Sequence, residues 1–92
     1  MGYIVDISKD AKEDILSFQK AGNKIALAKI DKILEELAEH PEIGIGKPEK
    51  MKYKEKNRWS RRIDKKNRMT YEIENDIVTV YVISVMGHYD DK

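Results

Sequence analysis

The chain has 92 residues, 40% of them hydrophobic and 38% charged, with a formal net charge of +1. That length admits one domain (1–92) with one small core, and its apolar fraction sets it apart from disordered chains. With no cysteine and two histidines, disulfides, thiolate metal sites and a cysteine nucleophile are excluded, and a structural zinc site lacks donors, so no cofactor is expected.

Tyr3 to Ile7 reads as a short strand of aromatic and β-branched residues. Ser8 follows at an N-cap position, and Asp10, Glu13 and Asp14 bring negative charge to the start of a helix. Ala11, Ile15 and Phe18 recur at helical spacing and form its apolar stripe. Ala21-Gly22 ends this helix and Asn23 can cap the next.

The second helix is expected from about Lys24 to Glu39, with Leu27, Ile30, Leu34 and Leu37 stepping by three and four and Ile33 and Ala38 widening the stripe. A two- or three-residue turn between helices implies an antiparallel helical hairpin. Pro41 stops the second helix and leaves His40 as an exposed helix-end residue without chemistry.

Gly44 and Gly46 make 41–48 a loop, after which the period changes to two. Met51 and Tyr53 alternate with Lys52 and Lys54. Trp59, Arg61 and Ile63 then share one face of a strand, and Arg58, Ser60 and Arg62 the other. Lys65-Lys66-Asn67 is a turn, beyond which Met69, Tyr71 and Ile73 face inward and Arg68, Thr70 and Glu72 outward. Trp59 and Tyr71 are expected as packing aromatics. Glu74-Asn75-Asp76 is a hairpin-type turn, and 77–85, apolar at almost every position, should be central or covered on both faces. The order is β-α-α-β-β-β. It implies a two-layer α+β fold with the helical hairpin on one face of a mainly antiparallel sheet.

No apolar run approaches the roughly 20 residues of a membrane span, and no signal peptide is evident, so a soluble cytoplasmic protein without a membrane partner is expected. Charge is unevenly spread. From Lys47 to Arg68 eleven basic residues face three acidic ones, a local charge of +8, against −7 for the remainder. A basic segment with Trp and Tyr interleaved suits a phosphate backbone.

Four blocks in this half carry a resemblance: G-K-P-E at Gly46 to Glu49, R-W-S-R-R-I at Arg58 to Ile63, N-R-M-T-Y at Asn67 to Tyr71, and G-H-Y at Gly87 to Tyr89. In this order and spacing they resemble the YoeB/Txe branch of the RelE/ParE toxin superfamily, whose β-α-α-β-β-β order the whole chain shares. The resemblance implies a toxin of a bacterial type II toxin–antitoxin module, an endoribonuclease that cuts mRNA in the ribosomal A site. It implies a cognate antitoxin and the ribosome with its mRNA as partners, and a tendency to form homodimers. By position, Glu49 matches the family's general base, Arg68 its phosphate-contacting arginine and His88 its proposed general acid. Lys52, Arg62 and Tyr89 match supporting, substrate-binding residues. Asp90, Asp91 and Lys92 extend past the point where such chains stop, as a solvated tail.

The residue types suit that chemistry. Metal-free RNA cleavage needs a base for the 2′-hydroxyl proton, an acid for the departing 5′-oxygen, and cations for the phosphorane-like transition state. A carboxylate, an imidazole that titrates near neutrality, and arginine forks supply these. Two other functions keep the same charge pattern: a ParE-like gyrase-inhibiting toxin and a non-catalytic ribosome- or RNA-binding domain.

Overall fold

The computed structural model describes residues 2–52 and 56–86. Strand β1 (Ile4–Ile7) leads into helix α1 (Lys9–Lys20) and helix α2 (Lys24–Leu37). Strands β2 (Glu49–Lys50), β3 (Arg58–Arg62), β4 (Arg68–Glu74) and β5 (Thr79–Ser84) follow. They form one five-stranded sheet in the order β1-β5-β4-β3-β2. β1 runs parallel to β5, and every other pair is antiparallel. The two-residue β2 is an addition to the three strands expected after the helices, and the Met51–Tyr53 alternation is not a strand as far as it is described.

The helices start where the sequence says they should. Ser8 Oγ accepts from Ala11 N at 3.0 Å and Asn23 Oδ1 from Ala26 N at 3.1 Å, so each N-cap satisfies one free amide. Between them Gly22 takes a left-handed φ of 68°. Its N–H bonds Gln19 O and that of Asn23 bonds Phe18 O, a pattern that closes α1 and turns the chain at once into α2.

The core lies between this hairpin and one face of the sheet. α1 contributes Ala11 and Phe18, α2 contributes Ala26, Ile30, Ile33 and Leu37, and the sheet contributes Met69, Tyr71, Ile73, Val80 and Val82, with Ile63 and Val85 at its margins. The buried arc of α2 is therefore rotated from the expected leucine stripe, since Leu27 and Leu34 are only partly covered. The helix also ends at Leu37, short of Glu39.

The alternation in β4 is as expected, with Met69, Tyr71 and Ile73 buried and Arg68, Thr70 and Glu72 on the open face. β5 is an interior strand, but β4 is the central one and the second face of β5 is only half covered, by Tyr81 and Ile83. The turn before β5 is a 3₁₀ turn (Asn75–Ile77) closed by Val78 at φ 50°, with Ile77 and Val78 exposed. Hydrophobicity extended the expected strand over two residues that belong to this turn. Among the described residues no helix is long and apolar enough to cross a membrane.

Candidate active site on the open sheet face

The sheet registers gather the site. Glu49 of β2 pairs with Ser60 of β3, Ser60 with Thr70 of β4, and Thr70 with Ser84 of β5. Directly paired residues point to the same side, so this polar row crosses the face away from the helices. Arg62 pairs with Arg68 on one side of the row, and Arg58 with Glu72 on the other. Arg58 donates to the Glu72 carboxylate through Nε at 3.0 Å and through a second guanidinium nitrogen.

Arg68 reaches across the row. Its Nη1 donates to Ser60 Oγ at 2.8 Å and lies 3.5 Å from Glu49 Oε1. Ser60 is buried beneath it. The Glu49 side chain is 68% exposed and that of Arg68 19%. An ion pair this open adds little stability. It leaves a carboxylate accessible to solvent, backed by a guanidinium held from below.

The turn preceding Arg68 is built by Asp64, whose Oδ1 accepts from Lys66 N at 2.8 Å and Asn67 N at 2.7 Å. Partial burial pushes the Asp64 carboxyl up, but the Asn67 side chain, the two amides and the Lys66 charge outweigh it and hold it below the usual value. This side-chain turn ends the β3–β4 connection in register, with Arg62 opposite Arg68.

Glu49 is placed from the other side of the sheet by a buried arginine. Arg61 is fully buried and points toward the helices, where Nη1 donates to Glu36 Oε1 of α2 at 2.6 Å. Its remaining donors go to the carbonyls of Ile45 (3.2 Å), His40 (3.0 Å) and Ile43 (2.8 Å), and to Tyr71 Oη (3.2 Å). Tyr71 Oη in turn donates to Pro41 O at 2.7 Å. Five donors of one planar fork thus pin 40–45 onto α2 and β4. Glu36 further accepts from Ile45 N at 3.0 Å.

Burial alone would raise the Glu36 carboxyl. The hydrogen bonds from Arg61 and Ile45, with the charges of Arg61 and His40, reverse this and hold it below its ordinary value. Burial pushes the Tyr71 phenol up, against the hydrogen bond and charge of Arg61.

The loop then returns to the open face through Gly46, at φ 81°, and Lys47, at φ 52°. Gly46 O accepts from Arg62 N at 2.6 Å, and a Cβ on Gly46 would lie 2.8 Å from Arg62 O. Only glycine allows this approach. At Gly44 a Cβ would fall 1.9 Å from Glu36 Oε1.

Of the six site residues expected from the sequence, the structure joins Glu49 and Arg68. It puts Arg62 on the same face, exposed and opposite Arg68. Lys52 is exposed two residues beyond β2. His88 and Tyr89 lie outside the described residues. The expectation for His40 is corrected: it is half-buried, its carbonyl accepts from Arg61, and its Nδ1 lies 2.9 Å from Ile43 O. Sequence reasoning also passed over Arg61, Glu36 and Ser60. A signal for the first two existed: Arg61 alternates in phase with Trp59 and Ile63, and Glu36 sits against the stripe of Ile33 and Leu37. Among the described residues no cluster of His, Cys, Asp or Glu could hold a metal ion.

A "Toxin YoeB" of Mycobacterium bovis is 38% identical over 85 residues, spanning 92% of this chain and 96% of that protein. The YoeB dimer from Staphylococcus aureus superposes with a TM-score of 0.81 at 30% identity, covering 97% of this chain and 100% of that one. The YoeB–YefM complex from the same organism superposes at 0.76 with 31% identity and the same coverage. Residues 7–89 match the family described as the YoeB-like toxin of bacterial type II toxin–antitoxin systems. The fold, the site's framework and these similarities together place the chain in the YoeB-like family of type II toxins.

Proposed function

We propose that this toxin is a ribosome-dependent endoribonuclease that cuts mRNA in the A site without a metal ion. One observation carries the reading: Glu49 and Arg68, from two separate sequence blocks, come within 3.5 Å on the open face of the sheet. In the proposed reaction Glu49 takes the proton of the RNA 2′-hydroxyl. The freed oxygen attacks the adjacent phosphorus, and Arg68 and Arg62 neutralise the charge that builds on the phosphoryl oxygens. His88 gives a proton to the departing 5′-oxygen, leaving a 2′,3′-cyclic phosphate and a 5′-hydroxyl. Lys52 and Tyr89 assist by binding the RNA. A 2′-deoxy nucleotide at the cut site has no nucleophile and resists cleavage.

Two protein partners belong to the reading. The S. aureus relative occurs in a YoeB–YefM complex, and a cognate antitoxin of that kind is proposed to neutralise this toxin by covering its basic face. The YoeB dimer of the same organism supports self-association as well. The test is primer extension on mRNA in a reconstituted translation system, comparing wild type with Glu49→Ala, Arg68→Ala and His88→Ala. New 5′ ends at A-site codons should require ribosomes and fall by about 10²-fold or more in each folded variant. Intact mRNA under folded wild-type protein would end the nuclease reading and favour a gyrase target.

A further inference from the structure

Arg58, Arg61 and Arg68 meet different acceptors. Arg61 Nη1 lies 2.6 Å from the Glu36 carboxylate and Arg58 Nε 3.0 Å from that of Glu72, so each shares its charge with a close acid. At Arg68 the order is reversed. Its Nη1 is 2.8 Å from the neutral hydroxyl of Ser60, and Glu49 Oε1 stands off at 3.5 Å. A hydroxyl accepts a hydrogen bond without cancelling the charge of its donor.

The strand register explains why such a hold is useful. Arg68 sits directly opposite Arg62, and like charges in that position repel. Ser60 pairs with Thr70, two residues farther along β4, so it lies diagonal to Arg68 and within reach of a long side chain. Ser60 is buried on an interior strand and keeps its place when a ligand arrives. Glu49 is 68% exposed on a two-residue edge strand, where its side chain can turn away.

In the proposed reaction Glu49 must be free to take a proton while Arg68 keeps its charge for the phosphoryl oxygens. A displacement of about 1 Å in such a group can lower a rate by about 10²-fold. We infer that Ser60 is a positioning residue: its hydroxyl keeps the Arg68 guanidinium in place as Glu49 leaves the pair for the RNA 2′-hydroxyl. This role rests on the nuclease reading and on Arg68 as its phosphate contact.

A double-mutant cycle on ribosome-bound mRNA under single-turnover conditions tests it. Ser60→Ala removes one oxygen and should lower the cleavage rate at saturating ribosome concentration by about 10- to 100-fold. In the Arg68→Ala background the same change should cost less than about 3-fold. The ribosome concentration for half-saturation should stay within about 3-fold of wild type, because the lost interaction belongs to the transition state. Ser60→Thr restores the hydroxyl and should recover most of the rate. Should its added methyl lower the thermal midpoint, the cycle with Ser60→Ala decides alone. Equal losses in the two backgrounds would overturn the proposal, because Ser60 would then act on the fold and not through the arginine. An unchanged rate in Ser60→Ala would overturn it too, with the nuclease reading intact. Wild-type cleavage by Arg68→Ala, or intact mRNA under the wild-type protein, would instead remove the reading and the role of Ser60 with it.

Discussion

Arg61 and Arg62 are chemically identical neighbours in one strand, and their surroundings could hardly differ more. Arg61 is fully buried, paired with Glu36 and bonded to three loop carbonyls and a phenol. Arg62 is exposed on the opposite face, paired with Arg68. The pleat turns successive side chains to opposite sides, so one charge becomes internal scaffolding and the other faces solvent. A fixed internal charge holds the loop that delivers Glu49, and the charges of Arg62 and Arg68 lie on the open face. In a protein this small, the buried cluster is a support for the exposed one, which under the proposed function meets the RNA.

The largest effect should come from breaking the buried side. Glu36→Ala leaves Arg61 as an uncompensated buried charge and should lower the unfolding free energy by about 3–5 kcal/mol, read from urea midpoints. Replacing the pair together, as Glu36→Leu with Arg61→Met, should lose much less than the two single changes summed. Additive losses would mean the two side chains are not coupled.

An intermediate effect should follow acidification. Glu36 and Asp64 are both held below their usual values. Their stabilisation is therefore complete above the ordinary carboxylate pKa of about 4–4.5 and disappears as pH falls through their folded-state values. Unfolding midpoints measured from about pH 7 to pH 3 should hold until about pH 5 and then decline, with a shallower decline in Glu36→Gln. An unchanged acid slope in that variant would contradict the assignment.

The smallest effect on stability should come from the exposed neighbour. Arg62→Ala should change the unfolding free energy by no more than about 0.5 kcal/mol. The slope of log affinity for ribosomes against log salt should drop by about 0.7–0.9. A large stability loss would show that Arg62 also serves the fold.

Much of this was legible along the chain because it is local. Ser8 and Asn23 cap the helices three residues ahead of the amides they bind. Likewise, the alternation of Met69, Tyr71 and Ile73 fixes the inner face of β4. The arc of α2 was harder. Leu27 and Leu34 lie beside Ala26 and Ile33 on a helix apolar around much of its circumference, and the sheet beneath decides which are covered. The candidate site was half legible: the blocks singled out Glu49 and Arg68, which the fold brings together, but nothing local showed that Ser60 supports one or that Arg61 places the other.

The sequence by itself determined the order of the helices and the longer strands, the helix caps, the basic half of the chain and the motifs of its family. Tertiary structure alone decided which residues met: Arg61 with Glu36, Glu49 with Arg68 across β3, and Asp14 with the amides that follow β5. The reason is physical. A cap or a turn is settled by bonds within a few residues, whereas these pairs lie 25, 19 and 71 positions apart. They form only when strand register and the packing of helices on the sheet bring distant segments together.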